Sequence, residues 1–245
     1  MSKILRPAFY LLIAGLASFL MQLVVGYPML WLLGPTTFQT PLATTVRTAL
    51  SYFAAILVLI ILPQVFHSKP PKSKLLNKLF SACHISRSDL GLSDLPTFTD
   101  IFLSLIGFFA YLLFSSLLLQ LVKIFPWFDV NQTQDVGFSH FLVGPDRIIA
   151  FIALVILAPI FEEIIFRGWL YYKIRQRNNP IVTTLLVSAL FGLLHGQWNV
   201  GVNVFGLSLI LCASREITGT IYASILLHII KNGIAFYLAF VIGFY

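Results

Sequence analysis

The sequence predicts an all-α fold, a polytopic transmembrane bundle of about eight membrane helices, some of them short, around an intramembrane cavity. Three observations carry this. Of the 245 residues, 58% are hydrophobic and only 10% charged, and the mean hydropathy of +0.91 lies outside the range of a soluble domain. The apolar residues fall in runs that approach or exceed the roughly 20 residues needed to cross about 30 Å of hydrocarbon. The cations sit in short clusters beside those runs, the pattern of membrane topology.

Taken in order, the apolar runs are 9–33, 46–66, 101–124, 148–172, 181–195, 200–213, 217–230 and 233–244, the last five being short or interrupted by polar residues. The first lacks a small-residue cleavage site and is too long for a signal-peptide core, so it reads as a retained helix. Lys3 and Arg6, then Lys69, Lys72, Lys74, Lys78 and Arg87, then Lys173, Arg175 and Arg177 fall on one side if the helices alternate. The positive-inside rule makes that side, with the N-terminus, cytoplasmic. Asp129, Asp135 and Asp146 crowd an opposite loop. Between the second and third runs, Leu75, Leu76, Leu79, Phe80 and Cys83 recur at helical spacing opposite lysines, which predicts an amphipathic helix lying either on anionic lipid or on the protein itself. Asn131-Gln132-Thr133 matches a glycosylation sequon and is treated as chance. The chain divides into residues 1–100, a variable region with two transmembrane helices and a basic cytoplasmic loop, and residues 101–245, whose motif-bearing part is about 145–240.

Several function classes drop out. The net charge of +7 arises from loop clusters rather than a basic stripe with interleaved aromatics, so nucleic acid is not an expected partner. Cys83 and Cys212 are too few for a disulfide framework or a CxxC metal site. There is no HExxH, GxGD or GxSxG-type site, Ser208 lacking the second glycine.

What remains is polar chemistry inside apolar helices. FEEIIFRGWL places Glu162, Glu163 and Arg167 within six residues, although a charge at a bilayer centre costs roughly 2.5–3.5 kcal/mol on insertion scales. His195 in FGLLH, and His228 with Asn232 in LLHIIKN, interrupt later runs. Glu162, His195 and His228 each lie 13 to 15 residues from a basic or proline-marked helix end, or about 20 Å along straight helices, so they share one depth. Glu163 and Arg167 stand at i and i+4, the spacing of an ion pair, whereas Glu162 is rotated by about 100° and stays uncompensated. Glu162 is then the general base, with His195 helping it to hold and deprotonate a water. His228 and Asn232, again i and i+4, present two donors to one spot, as an oxyanion hole requires. Glu162, His195 and His228 are also a possible ligand set for a divalent metal such as Zn²⁺ with one open position; the residues leave metal use undetermined.

These stretches resemble a known set. EEIIFRGWL is similar to the EExxxR signature, FGLLH to FxxxH and HIIKN to HxxxN of the CAAX protease and bacteriocin-processing (Abi) family of intramembrane proteases, in the family's order. The resemblance implies an all-helical fold with a cavity open to the cytoplasm and peptide-bond hydrolysis in a membrane-associated protein or peptide. It further implies Glu162 as base, His195 as its partner on the water, His228 and Asn232 as oxyanion donors, and Glu163 and Arg167 as the second acidic and the basic position of the first motif. Lipid and a membrane-associated substrate are the expected partners, in what the short loops suggest is a bacterial plasma membrane. The alternatives are a non-catalytic immunity or scaffold protein and a proton-coupled transporter. A proton path, however, strings ionisable groups at different depths, and these cluster at one.

Overall fold

A computed structural model describes residues 5–125, 128, 129, 136–138 and 142–243. Lys3, the Asn131-Gln132-Thr133 sequon, Asp135 and Phe244 lie outside the described residues. Those described contain helices and no strand: α1 (Leu5–Phe38), α2 (Pro41–Ser68), α3 (Lys74–Cys83), α4 (Phe98–Val122), α5 (Gly144–Arg175), α6 (Pro180–Leu193), α7 (Trp198–Thr218) and α8 (Tyr222–Ile242). All but α3 and α6 are long and apolar enough to cross a membrane. Their outward faces stay bare of protein, as at Trp31, Phe109 and Leu113, and suit lipid contact.

The helix starts are written in the sequence. Thr40 caps α2 by accepting from Ala43 N at 3.4 Å, with Pro41 in the first turn. Thr97 and Asp100 form a reciprocal capping box on α4, and Asn179 accepts from Val182 N at 2.9 Å ahead of Pro180. Each satisfies amide groups that a helix leaves unpaired, which matters most near hydrocarbon.

Two expected elements differ. The runs at 217–230 and 233–244 are one helix, α8, and Ile217 instead ends α7, which Gly219 terminates in a left-handed conformation (φ 72°). Asn232 and Gly233 do not break α8 because they serve a helix contact: Asn232 Nδ2 donates to Leu154 O at 2.9 Å, and Gly233 faces Val155. The reason lies in α5. Residues Ile152–Leu157 form a π-helical turn in which Ala158 N bonds Ala153 O, so Leu154 O would look to residue 159 for a donor. Pro159 has none, and Asn232 fills the gap.

α6 is the second departure. With 14 residues it rises only about 21 Å, then turns at Gly196 (φ 71°) into α7. The hairpin is tight because a Cβ on Gly192 would sit 2.7 Å from Gly201 O. Between apolar helices in lipid, such close small-residue packing replaces the hydrophobic drive.

The main core gathers at the end of the bundle that carries the basic loops, from Tyr10, Cys83, Ile85, Leu90, Trp169, Leu170 and Ile174. Residues 84–92 are tucked under the helices there. Trp169 Nε1 donates to Cys83 O at 3.0 Å, Tyr10 Oη to Ala82 O at 3.2 Å, and Arg215 Nη2 to Asp89 O at 2.9 Å, while Lys173 Nζ donates to His84 O. This core runs across residue 100, so α1 and α2 pack as part of the same body as α5 to α7. α3 divides its amphipathic face: Phe80 stacks on Phe66 at 4.9 Å and Cys83 is buried, whereas Leu75 and Leu76 remain exposed.

Candidate active site

Glu162 and Glu163 fall where α5 passes from an α-helical turn into the π-helical turn Ile164–Leu170. The wider turn keeps Arg167 beneath Glu163 but swings Trp169 away from Glu162 into the core, where it bonds the Cys83 carbonyl. Such turns recur at functional sites because they re-aim side chains.

Glu163 and Arg167 have no exposed side-chain surface, and their closest oxygen and nitrogen are 3.0 Å apart. Arg167 Nη2 also donates to Ser208 Oγ of α7 at 2.6 Å, and its guanidinium lies 4.5 Å over the Phe191 ring. The same Glu163 Oε1 receives His228 Nδ1 at 2.8 Å. A carboxylate already paired with arginine is an acceptor, so Nδ1 is the protonated nitrogen and Nε2 points on toward Glu162, with Oε2 at 3.8 Å. Glu163 thus fixes the direction of His228 from behind, holding one ring N–H and leaving Nε2 toward Glu162.

Glu162, with 13% of its side chain exposed, faces the cavity and accepts a hydrogen bond from the Tyr52 hydroxyl of α2. Tyr52 stacks on Phe161 at 5.8 Å and 12°. His195, at the α6–α7 turn, gives Nδ1 to Phe191 O at 2.8 Å, edge-on to the Phe191 ring. A carbonyl only accepts, so His195 presents Nε2 to the cavity as an acceptor. Asn232 spends one amide N–H on Leu154 O and keeps a second. Glu162, His195, His228 and Asn232 line one cavity of about 1120 Å³.

Two lining residues escaped the sequence analysis. Tyr52 is one aromatic among many in an apolar run, and nothing in its spacing marks it. Lys231 neighbours Asn232, half-buried in the cavity wall within electrostatic range of Glu162 and His195. It was hidden because the run 217–230 appeared to end just before it.

The cavity wall leads away from the basic end. Tyr27, Leu30 and Phe38 of α1, Arg47 of α2 and Phe138 line it toward the opposite end of the bundle. Below Phe166, the packed core around Trp169, Leu170 and Ile174 closes the basic end.

Among the described residues, no three His, Cys, Asp or Glu side chains converge as a metal would require. Both Nδ1 atoms bond protein acceptors, which leaves the Nε2 atoms of His195 and His228 free of those bonds. Cys83 offers no nucleophile, since burial pushes its thiol up to about 11 against the pull of Lys173.

Spanning helices around a mid-depth cluster of carboxylates and imidazoles define an integral membrane protein with an intramembrane polar site. Residues 144–234 match the family model described as type II CAAX prenyl endopeptidase Rce1-like, a protease family. That stretch holds every motif residue from Glu162 to Asn232. No curated protein and no solved structure matched the chain.

Proposed function

We propose that the protein is an intramembrane endopeptidase that hydrolyses a peptide bond in a membrane-associated protein or peptide, with Glu162 as general base. The observation that carries this reading is a cavity-facing carboxylate opposite a histidine whose other nitrogen is held by a second, arginine-paired carboxylate. A water between Glu162 and the Nε2 acceptor of His195 gives its proton to Glu162 as its oxygen attacks the substrate carbonyl. Negative charge grows on the carbonyl oxygen. His228, which faces Glu162 through Nε2, donates from that nitrogen, and Asn232 donates its second amide hydrogen. The tetrahedral intermediate collapses with cleavage of the C–N bond, and the proton held by Glu162 passes to the departing amine. Processing of CAAX-type ends and of bacteriocin or pheromone peptides both fall within this chemistry.

The test uses purified protein in detergent with a fluorogenic peptide library. Glu162→Gln and His228→Ala are expected to abolish cleavage that the parent performs. Equal cleavage by all three would remove the assignment.

A further inference from the structure

We propose that Lys231 anchors a carboxylate of the substrate, so that the site selects peptides carrying a negative charge a few residues from the bond that is cut. The proposal rests on the peptidase reading of Glu162 and adds to it a cation that the hydrolysis itself does not use.

Three observations combine. First, the position of Lys231 is costly and topology does not account for it. It stands in the middle of α8 (Tyr222–Ile242), too far from either end for its stem to carry the ammonium out to an interface, as lysines nearer a helix end do. An ionisable group held at such depth faces the bundle interior and marks a substrate or ion path, and Lys231 lines the cavity. Second, its charge is not used within the protein. Among the described residues the ion pairs are Arg167 with Glu163, Arg175 with Glu216, and His228 with Glu162 and Glu163, and Lys231 takes part in none of them. The cavity wall there has two cations, Arg47 and Lys231, against one carboxylate, Glu162. Glu162 offsets Lys231 only through space, and it becomes neutral when it takes the proton of the attacking water. Third, the register is right for a peptide. His228, Lys231 and Asn232 stand at i, i+3 and i+4 on α8, neighbours on a helix surface at about 5–6 Å between Cβ atoms. Two of them are the donors to the scissile carbonyl. An extended peptide advances about 3.3–3.6 Å per residue, so a chain whose carbonyl sits on His228 and Asn232 passes Lys231 within a few residues. The anions of a peptide are its terminal carboxylate and its aspartate and glutamate side chains, and an ammonium binds either through a charge-assisted hydrogen bond.

The test uses the fluorogenic peptide library in three forms: with a free C-terminal carboxylate, with a C-terminal amide, and with the amide plus one aspartate placed in turn at each position beside the fluorogenic bond. Parent, Lys231→Gln, Lys231→Arg and Glu162→Gln proteins are assayed in detergent. The parent is expected to cleave a carboxylate-bearing form with a KM about 10- to 100-fold below that of the plain amide, the worth of one charged hydrogen bond. Preference for the free terminus identifies that carboxylate and preference for the aspartate form identifies a side chain; both support the proposal. Lys231→Gln should remove the preference through KM rather than kcat, and Lys231→Arg should restore most of it. Equal KM for all three forms in the parent overturns the proposal without any variant, as does a preference that survives in Lys231→Gln. A loss in Lys231→Gln that falls on kcat and on all forms alike means that the lysine only tunes Glu162, which overturns the anchor and spares the peptidase. Cleavage that is absent from the parent, or unchanged in Glu162→Gln, overturns the peptidase reading and this proposal with it.

Discussion

Arg167 offers the sharpest test of how the site is held together. Its guanidinium is fully buried, 3.0 Å from Glu163 and 2.6 Å from Ser208 Oγ. Arg167→Met keeps most of the volume but leaves the Glu163 carboxylate with only His228 Nδ1, and Glu163 Oε2 already lacks a partner. Removing one member of a buried pair strands the other charge, at about 3–5 kcal/mol. Glu163→Gln in the Arg167→Met background removes that charge while its amide oxygen still accepts from His228. The double variant should therefore recover most of the loss, to within about 1–2 kcal/mol of the parent, because a buried pair replaced as a unit is often neutral. The assay is a double-mutant cycle on unfolding in mixed detergent micelles, followed by circular dichroism. Losses that simply add, with no recovery in the double variant, would refute the view that Glu163 and Arg167 act as one compensated unit.

Other outcomes follow from the same contacts. Glu162→Gln should lower peptide turnover by a factor of about 10²–10⁴, the usual worth of a general base, with unfolding unchanged; full turnover in the variant counts against the base. Tyr52→Phe should fold normally and lower peptide turnover, since the Glu162 carboxylate loses the donor that orients it; unchanged turnover removes Tyr52 from the site. Asn232→Leu should cost about 1–3 kcal/mol by stranding the Leu154 carbonyl, and Pro159→Ala, which restores an N–H at the required position, should return part of it; no rescue would contradict the account of the π-helical turn. At the basic end, burial, then the nearby His67 and Lys173, hold His84 below its ordinary value of 6.5. A histidine depressed in the folded state stabilises above its unfolded value and loses that contribution as pH falls below about 6.5. Proteolysis of the α3 segment should accordingly increase toward pH 5, and His84→Gln should flatten the dependence.

How much of this was legible in the sequence depends on how each residue announces itself. Glu162, Glu163, Arg167, His195 and His228 stand out because an ionisable group in an apolar run is energetically conspicuous, and helical spacing alone pairs Glu163 with Arg167. Tyr52 bonds Glu162 directly but is invisible, because a tyrosine in a membrane helix is ordinary and its partner lies 110 residues away. Lys231 shows a subtler failure. The apolar run 217–230 stops just before it, so the lysine passes unremarked beside Asn232, whose bond to the Leu154 carbonyl helps carry the helix on with Lys231 inside. The packing of the basic end was beyond reach for a related reason. Periodicity gives each residue a depth, but the packing of the basic end is set by backbone carbonyls of residues 82–89, claimed one by one by Tyr10 of α1, Trp169 and Lys173 of α5 and Arg215 of α7. A motif thus marks ionisable groups within apolar helices, while the contacts of an irregular segment decide how the helices that carry them are held at the basic end.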